Sequence, residues 1–372
     1  MSLSGRRPSC GVLSRGSRAA GGQDNCNISK YRGNVITILI PTYNRPGYLK
    51  RILGYYNELR VAYDIIVADG SSDETKEMNR ETVSSFPSLR IQHLAKYSSE
   101  THFLHRFNDA INYVDTDYCV FCADDDFVTP TGMSQSADFL EKNPDFVAAH
   151  GRYVSFWLER RENEQDFRWQ PTYSDVSITL EHPEQRLTYH LSNYSPTFYA
   201  VQRTNILRLT LGEAARCTED YRFGELLQSA LALVYGKMKW LDVLYAGREK
   251  IPGSAGRTSE RLTDFMREGT YDQKYANFRE CLSGHLSEQS GLDIEESNTL
   301  IDDAMTTYTK KHYVGRGTYS RSCDYRLVLL QKASRVLEHM PGPIDEGIRA
   351  LYRRLFLPKQ NTSLPISHMN TT

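Results

Sequence analysis

Apolar residues in the first third of this chain come in short unbroken runs that alternate with helically spaced ones. Val35-Ile36-Thr37-Ile38-Leu39-Ile40 is such a run and reads as a buried strand. Pro41 ends it, and Thr42-Tyr43-Asn44-Arg45-Pro46-Gly47 has the composition of a loop. From Tyr48 to Leu59 the positions Leu49, Ile52, Leu53, Tyr56 and Leu59 share one helix face. A second strand is expected over Tyr63–Ala68, stopped by Asp69-Gly70-Ser71-Ser72-Asp73. There Ser72 and the acids after it suit the first turn of a helix. Leu89–Leu94 reads as a third strand. His102–Val114 reads as a helix through Phe103, Phe107, Ala110, Ile111 and Val114. A fourth run begins at Tyr118 and stops at three consecutive carboxylates, Asp124, Asp125 and Asp126. Strand and helix thus alternate four times, which predicts a parallel sheet with right-handed crossovers.

The pattern is looser in the second half. Tyr194–Val201 reads as a strand, followed by Gln202-Arg203-Thr204 and a helical start. Thr218-Glu219-Asp220 opens a helix carrying Phe223, Leu226, Leu227, Ala230, Leu231 and Val234. Gly236 closes it, and Trp240–Tyr245 reads as a further strand. From about residue 258 the spacing is helical again. The expected organisation is a leader over 1–33, an α/β domain over 34–253 and a mainly helical region over 254–372 with a disordered tail. The Ser-, Gly- and Arg-rich leader reads either as disordered or as an organellar transit peptide; it lacks the apolar core of a secretory signal.

Composition narrows the field. The chain has 372 residues and a formal net charge of −1, which argues against a nucleic-acid binder that works by bulk charge. Seven irregularly spaced cysteines do not suggest a disulfide framework, so a reducing, cytoplasmic setting is expected. Cys119 and Cys122 sit inside a strand, where residues three apart point to opposite faces; both read as core packing. No run approaches the length of a membrane span. Arg349–Leu357 is a basic amphipathic stretch that reads either as a helix on an anionic membrane surface or as a solvated or oligomer-contact face.

The chemistry collects at strand ends. An open α/β sheet binds its ligands at the carboxyl edge of its strands. Three carboxylates packed there repel one another, so a dry cluster needs a cation or stays partly protonated. A divalent metal carrying a phosphate is one reading of Asp124-Asp125-Asp126; a solvated acidic turn is the other. Neither G-x-G-x-x-G nor G-x-x-x-x-G-K-[ST] occurs, which disfavours dinucleotide and P-loop sites.

Three motifs in order carry a resemblance: Ile38-Leu39-Ile40-Pro41-Thr42-Tyr43-Asn44-Arg45, then Ile66-Val67-Ala68-Asp69-Gly70-Ser71-Ser72-Asp73, then Ala123-Asp124-Asp125-Asp126. Together they resemble the family 2 glycosyltransferases. The resemblance implies a GT-A fold, a Rossmann-like, mostly parallel sheet flanked by helices, with a helical C-terminal extension. It implies a metal-dependent, inverting, non-processive enzyme that moves one sugar from a UDP- or GDP-type nucleotide-sugar to an acceptor hydroxyl of a glycan, polysaccharide or lipid-linked saccharide. Pro41, Thr42, Tyr43, Asn44 and Arg45 would line the nucleoside and Asp69 would meet the base. Asp124 would lie near the ribose, with Asp125 or Asp126 holding Mg²⁺ or Mn²⁺ in the manner of a DXD motif. His102 stands where some members place an Arg near the diphosphate. Thr218-Glu219-Asp220 resembles the segment bearing the general base, with Asp220 as base and Glu219 as its neighbour or an acceptor contact. The Gln-x-x-Arg-Trp signature of the polymerising members is absent. The Gly/Ser-rich segment Ile251–Arg257 reads equally as a lid or a linker. A sugar-phosphate nucleotidyltransferase and a nucleotide- or glycan-binding protein without catalysis are the competing readings.

Overall fold

A computed structural model describes residues 35–161, 164–172, 176–251 and 261–311. The leader, the Gly/Ser-rich stretch and the basic Arg349–Leu357 segment lie outside these residues.

The opening alternation forms as its pattern dictates. Strand β1 (Ile36–Thr42) is followed by helix α1 (Pro46–Glu58), β2 (Asp64–Asp69), α2 (Asp73–Ser84), β3 (Arg90–Leu94), α3 (Phe103–Ala110) and β4 (Tyr118–Phe121). Helix α3 runs out in a single 3₁₀ turn over Ile111–Tyr113, short of the helix expected to reach Val114. Then come β5 (Phe127–Val128), α4 (Pro130–Lys142), the hairpin β6 (Phe146–Arg161) and β7 (Glu164–Thr172), α5 (Pro183–Ser192), β8 (Val201–Arg203), α6 (Thr204–Cys217), α7 (Tyr221–Tyr235) and β9 (Lys237–Glu249). Helices α8 (Leu262–Glu268), α9 (Tyr271–Ser290) and α10 (Ile294–Thr309) complete the described chain.

One sheet runs in the order β3-β2-β1-β4-β8-β6-β9-β5, with β7 paired to β6. Its first four strands are parallel, as the crossovers require. Beyond β4 the sheet becomes mixed: β8 runs antiparallel to β4 and β6, while β6 and β9 are parallel. The segment expected as a strand over Tyr194–Val201 is not one. Strand pairing begins at Val201 and continues through Gln202 and Arg203, which face Cys119 and Tyr118 of β4. Arg203 donates to the carbonyls of Leu140, Asn143 and Phe146, so its guanidinium ties β8 to the end of α4.

Alternation along the strands sorts side chains onto two faces. Ile38, Ile40, Ile65, Val67 and Cys122 join the apolar cluster beneath α1 and α4. Leu39, Ile66, Ala68 and Cys119 join the one beneath α3 and α6. The two cysteines therefore pack on opposite faces. Helix α7 is buried nearly all round and shares a third cluster with α5, α8, α9 and α10. It approaches α3 closely at Gly224, where an added Cβ would lie 2.4 Å from Leu104 Cδ1.

Candidate active site

The loop after β1 is shaped by local chemistry. Asn44 takes a left-handed conformation (φ 53°), which a short polar side chain tolerates. Pro46 then opens α1 with its fixed φ. The loop is tied to the end of β2: Asn44 N donates to Ser71 Oγ at 2.8 Å, and Ser72 N donates to Asn44 Oδ1 at 2.8 Å. Thr42 is buried at the end of β1, and Tyr43 is exposed.

Asp69 ends β2 and is fully covered. Burial works against its charge, but bonds with His93, Ser71 and Asn79 outweigh it and hold its pKa at about 2. The Ser71 amide donates to Oδ1 at 2.9 Å, Asn79 Nδ2 to Oδ2 at 2.8 Å, and His93 Nε2 lies 2.9 Å from Oδ2. Sequence reasoning did not single out His93 or Asn79. Both lie on regular elements and carry no motif.

It also missed Arg106, one turn into α3. This guanidinium is buried against Gly70, where an added Cβ would come 1.6 Å from Nη1. Glycine at position 70 is therefore what admits it. Its Nε has no hydrogen-bond partner among the described residues. Burial depresses its pKa, with Asp69 and Asp124 among the charges that pull it back up. A buried cation with an unpartnered donor beside the carboxyl end of β2 is a seat for an anion.

The acid triplet follows β4 and splits in two. Asp124, with no exposure, accepts Thr42 Oγ1 at 2.7 Å and pairs with Arg45. Burial pushes its pKa up to about 7, with Arg45 opposing and Asp125 and Asp126 reinforcing the rise. Asp125 takes the other arm of Arg45 at 2.9 Å, so one guanidinium bridges both carboxylates. Asp126 turns toward β9, accepting Glu249 N at 2.8 Å and Arg248 Nε at 3.1 Å. Its pKa is raised by burial, against the pull of Arg248. Arg51 donates to the Asp125 carbonyl at 2.9 Å and pairs with Glu249 at 2.6 Å, linking α1, the triplet and β9. Asp124 and Asp125 thus face the β1 loop, and Asp126 is held by the sheet.

Asp124 and Asp125, side by side on Arg45, offer hard oxygen donors of the kind a Mg²⁺ or Mn²⁺ ion takes, whereas Asp126 turns away to β9. A cation bound there would oppose the burial and, secondarily, the like charges of Asp125 and Asp126 that raise Asp124.

The second wall is built by α3, α7 and α9. Asp220 is buried and caps α7, its Oδ1 accepting Phe223 N at 2.9 Å. Its Oδ2 pairs with Lys274 of α9 at 3.4 Å. Glu219 beside it is exposed. His102 precedes α3, with its ring 4.6 Å from Phe103 and 6.1 Å from His105. Burial and the neighbouring His105 lower its pKa, while Asp220 and Glu219 pull it up. The structure brings together Asp124, Asp125 and Arg45 and sets Arg106 against Gly70, next to Asp69; the charges of Asp220 and Glu219 are among those felt by His102. Pro41 is the penultimate residue of β1 and pairs in register with Ala68.

With this geometry in place, comparison is informative. Residues 37–208 match the family model described as Glycosyl transferase family 2, a span that holds the β1 loop, Asp69 and the acid triplet and ends before Asp220. No curated protein matches the chain. Solved structures with a similar course include S. aureus TarS 1–349 in complex with UDP-GlcNAc, at 15% identity and a TM-score of 0.47 over 86% of this chain and 80% of that one. Another is the mannosyltransferase PcManGT from Pyrobaculum calidifontis in complex with GDP-Man and Mn²⁺, at 13% identity and 0.39 over 87% and 86%. Residues 37–208, somewhat under half of the chain, are thus similar to the family 2 glycosyltransferases, carried on a mixed α/β sheet flanked by helices.

Proposed function

We propose that this protein is a metal-dependent inverting glycosyltransferase that moves a single sugar from a UDP- or GDP-type nucleotide-sugar to an acceptor hydroxyl. The observation that carries the reading is Arg106. It is a buried cation whose Nε has no hydrogen-bond partner among the described residues, set against Gly70 at the carboxyl edge of the parallel strands and within the field of Asp69 and Asp124, where a nucleoside diphosphate's charge needs a fixed counter-charge.

On this reading the β1 loop, from Pro41 to Arg45, lines the nucleoside. Asp69 Oδ1, which receives the Ser71 amide, offers its remaining lone pair to the base. Arg106 faces the diphosphate. Arg45 releases Asp124 and Asp125 on donor binding and turns to the phosphates, a motion its partly exposed side chain permits. Asp124 then serves the ribose. Asp125 is the metal ligand the arrangement favours, because Asp126 is already engaged by β9. A bound divalent cation offsets the charge that grows on the departing diphosphate.

Asp220 takes the acceptor hydroxyl's proton as that oxygen attacks the anomeric carbon opposite the leaving group. Lys274 pairs with this carboxylate and the α7 cap fixes its direction. Exposed Glu219 meets the acceptor. His102, ahead of α3 and within the field of Asp220 and Glu219, stands where the resemblance expects a residue near the diphosphate. A one-sugar rather than processive reaction fits a chain in which, among the described residues, no helix is long and apolar enough to cross a membrane.

The test is thermal unfolding of the full chain with uridine, guanosine, adenosine and cytidine diphosphates, each with and without Mn²⁺. A ligand bound only by the native state raises the midpoint, by about 2.7 kcal/mol of stabilisation at one hundred times its dissociation constant. One diphosphate should raise it, more strongly with Mn²⁺. Arg106→Ala should abolish the shift, and Asp125→Asn should remove only its Mn²⁺-dependent part. A response confined to nucleoside triphosphates would point instead to a nucleotidyltransferase.

A further inference from the structure

Away from the nucleotide crevice, α6 and α9 face each other with four metal-ligating side chains between them. Glu213 and Cys217 lie four residues apart on α6, and Cys281 and His285 lie four apart on α9. On a helix that spacing puts both members of a pair on one face. Glu213 Oε2 is the common point. It lies 3.4 Å from Cys281 Sγ, 3.8 Å from Cys217 Sγ and 3.5 Å from His285 Nε2. The ligating atoms of Glu213, Cys217 and Cys281 all fall within 4.8 Å of one another; His285 reaches only the Glu213 corner of this group and must swing inward to become its fourth member.

These separations have a chemical meaning. Around a tetrahedral zinc ion, bonds of about 2.3 Å to sulfur and about 2.0–2.2 Å to nitrogen or oxygen imply ligand-to-ligand edges of roughly 3.3–3.8 Å. The three edges from Glu213 match that range. His285 is further prepared: its other ring nitrogen, Nδ1, sits 2.7 Å from Tyr235 Oη, the outer partner a ligating histidine needs to fix its ring. The set is partly buried, with Glu213 and His285 side chains 23% and 19% exposed, so an ion can enter. Arg216 now pairs with Glu213 and lies 3.9 Å from Cys281 Sγ. That side chain is 66% exposed and can swing into solvent when a cation takes its place.

We propose that Glu213, Cys217, Cys281 and His285 form a structural zinc site that staples α6 to α9. Two thiolates with an imidazole and one carboxylate are a donor set for zinc rather than for Mg²⁺ or Ca²⁺. Binding Zn²⁺ displaces the two thiol protons to solvent and changes no oxidation state. The site pins both sides of the Asp220 pair: Cys217 directly precedes Thr218-Glu219-Asp220, and α9 also carries Lys274. The site does not depend on what the chain transfers.

The experiment uses the full chain, free of any histidine tag, purified under reducing conditions after growth with zinc. Elemental analysis should find about one zinc per chain that survives gel filtration. Replacement by Co²⁺ should give the near-ultraviolet thiolate-to-cobalt charge-transfer bands that an all-oxygen site such as the acid triplet cannot produce. Cys281→Ser and His285→Gln should lose the metal, and Tyr235→Phe should hold it about tenfold less tightly. Should the serine variant fail to fold, the wild-type cobalt spectrum and the Tyr235→Phe protein carry the test. Folded wild-type protein with no zinc and no charge-transfer bands overturns the proposal. So does a Cys217–Cys281 disulfide found by peptide mapping of the reduced preparation.

Discussion

Asp220 caps α7 and, in the proposed function, is also the base, two jobs that substitution can separate. As a helix cap it needs only an oxygen that accepts the Phe223 amide, and asparagine caps about as well as aspartate. As a base it needs the charge. Asp220→Asn should therefore leave the melting temperature and nucleotide-diphosphate binding near wild type while lowering transfer by about 10²–10⁴-fold. Near-normal turnover in that variant would remove Asp220 from the chemistry. Asp69 offers a second separation, through pH. Its pKa falls from 3.8 to about 2 on folding, because the bonds from His93, Ser71 and Asn79 outweigh its burial. A depressed folded pKa stabilises the native state above 3.8, and that contribution disappears as pH falls from 3.8 toward 2. Asp69→Asn lacks this component. Acid titration of stability should show the gap between wild type and Asp69→Asn narrowing through that window; a constant gap would mean that Asp69 is not held ionised by its neighbours.

At the scale of elements, what could be read from the chain depended on whether local signals agreed. β1, β2 and β4 are continuous apolar runs and α1 and α3 each carry an apolar stripe, so order and pairing followed even though Arg90, Gln92 and His93 interrupt β3 and α2 is polar. The strand ends were legible too, because Asp69 and Asp124 each interrupt such a run. The β6–β7 hairpin was not legible. It mixes Arg, Glu, Asp and aromatics along one long pair, and its partners β8 and β9 come from far along the chain. Tyr194–Ala200 has strand-like composition yet pairs with nothing, since Val201–Gln202 hold the places beside Ala148–Ala149 and Cys119. Arg106 escaped notice for a different reason. It occupies a helix position ordinary for a solvated arginine, and only Gly70, across the sheet edge, makes room for it. The packing of α3 on α7 rests on a similar small residue. Gly224→Ala would place a Cβ 2.4 Å from Leu104 Cδ1, wedging the helices that carry His102 and Asp220 apart. The expected cost is about 1–3 kcal/mol of unfolding free energy with a raised acceptor KM. Pairing it with Leu104→Ala should recover part of both, as contacting sites couple.

For the whole molecule, the boundary expected near residue 253 meets a physical obstacle in α7. Its residues Leu226, Leu227, Ala230, Leu231 and Val234 sit in one apolar cluster with Leu262 and Phe265 of α8, Phe278 and Leu282 of α9, and Ile301 and Met305 of α10. A fragment ending at Ile251 would leave that side of α7 and the facing side of α5 in water, a loss on the order of 25 cal/mol for each Å² of apolar surface uncovered. It would also lose Lys274, the partner of Asp220, and Cys281 and His285. We therefore expect the C-terminal helices to complete the core of the transferase as well as its acceptor wall. The fragment should unfold without a cooperative transition and bind no nucleotide diphosphate, whereas the full chain melts in one step. A fragment that melts cooperatively and still binds the diphosphate would show that the nucleotide-binding half stands alone and that α8–α10 form a separable domain.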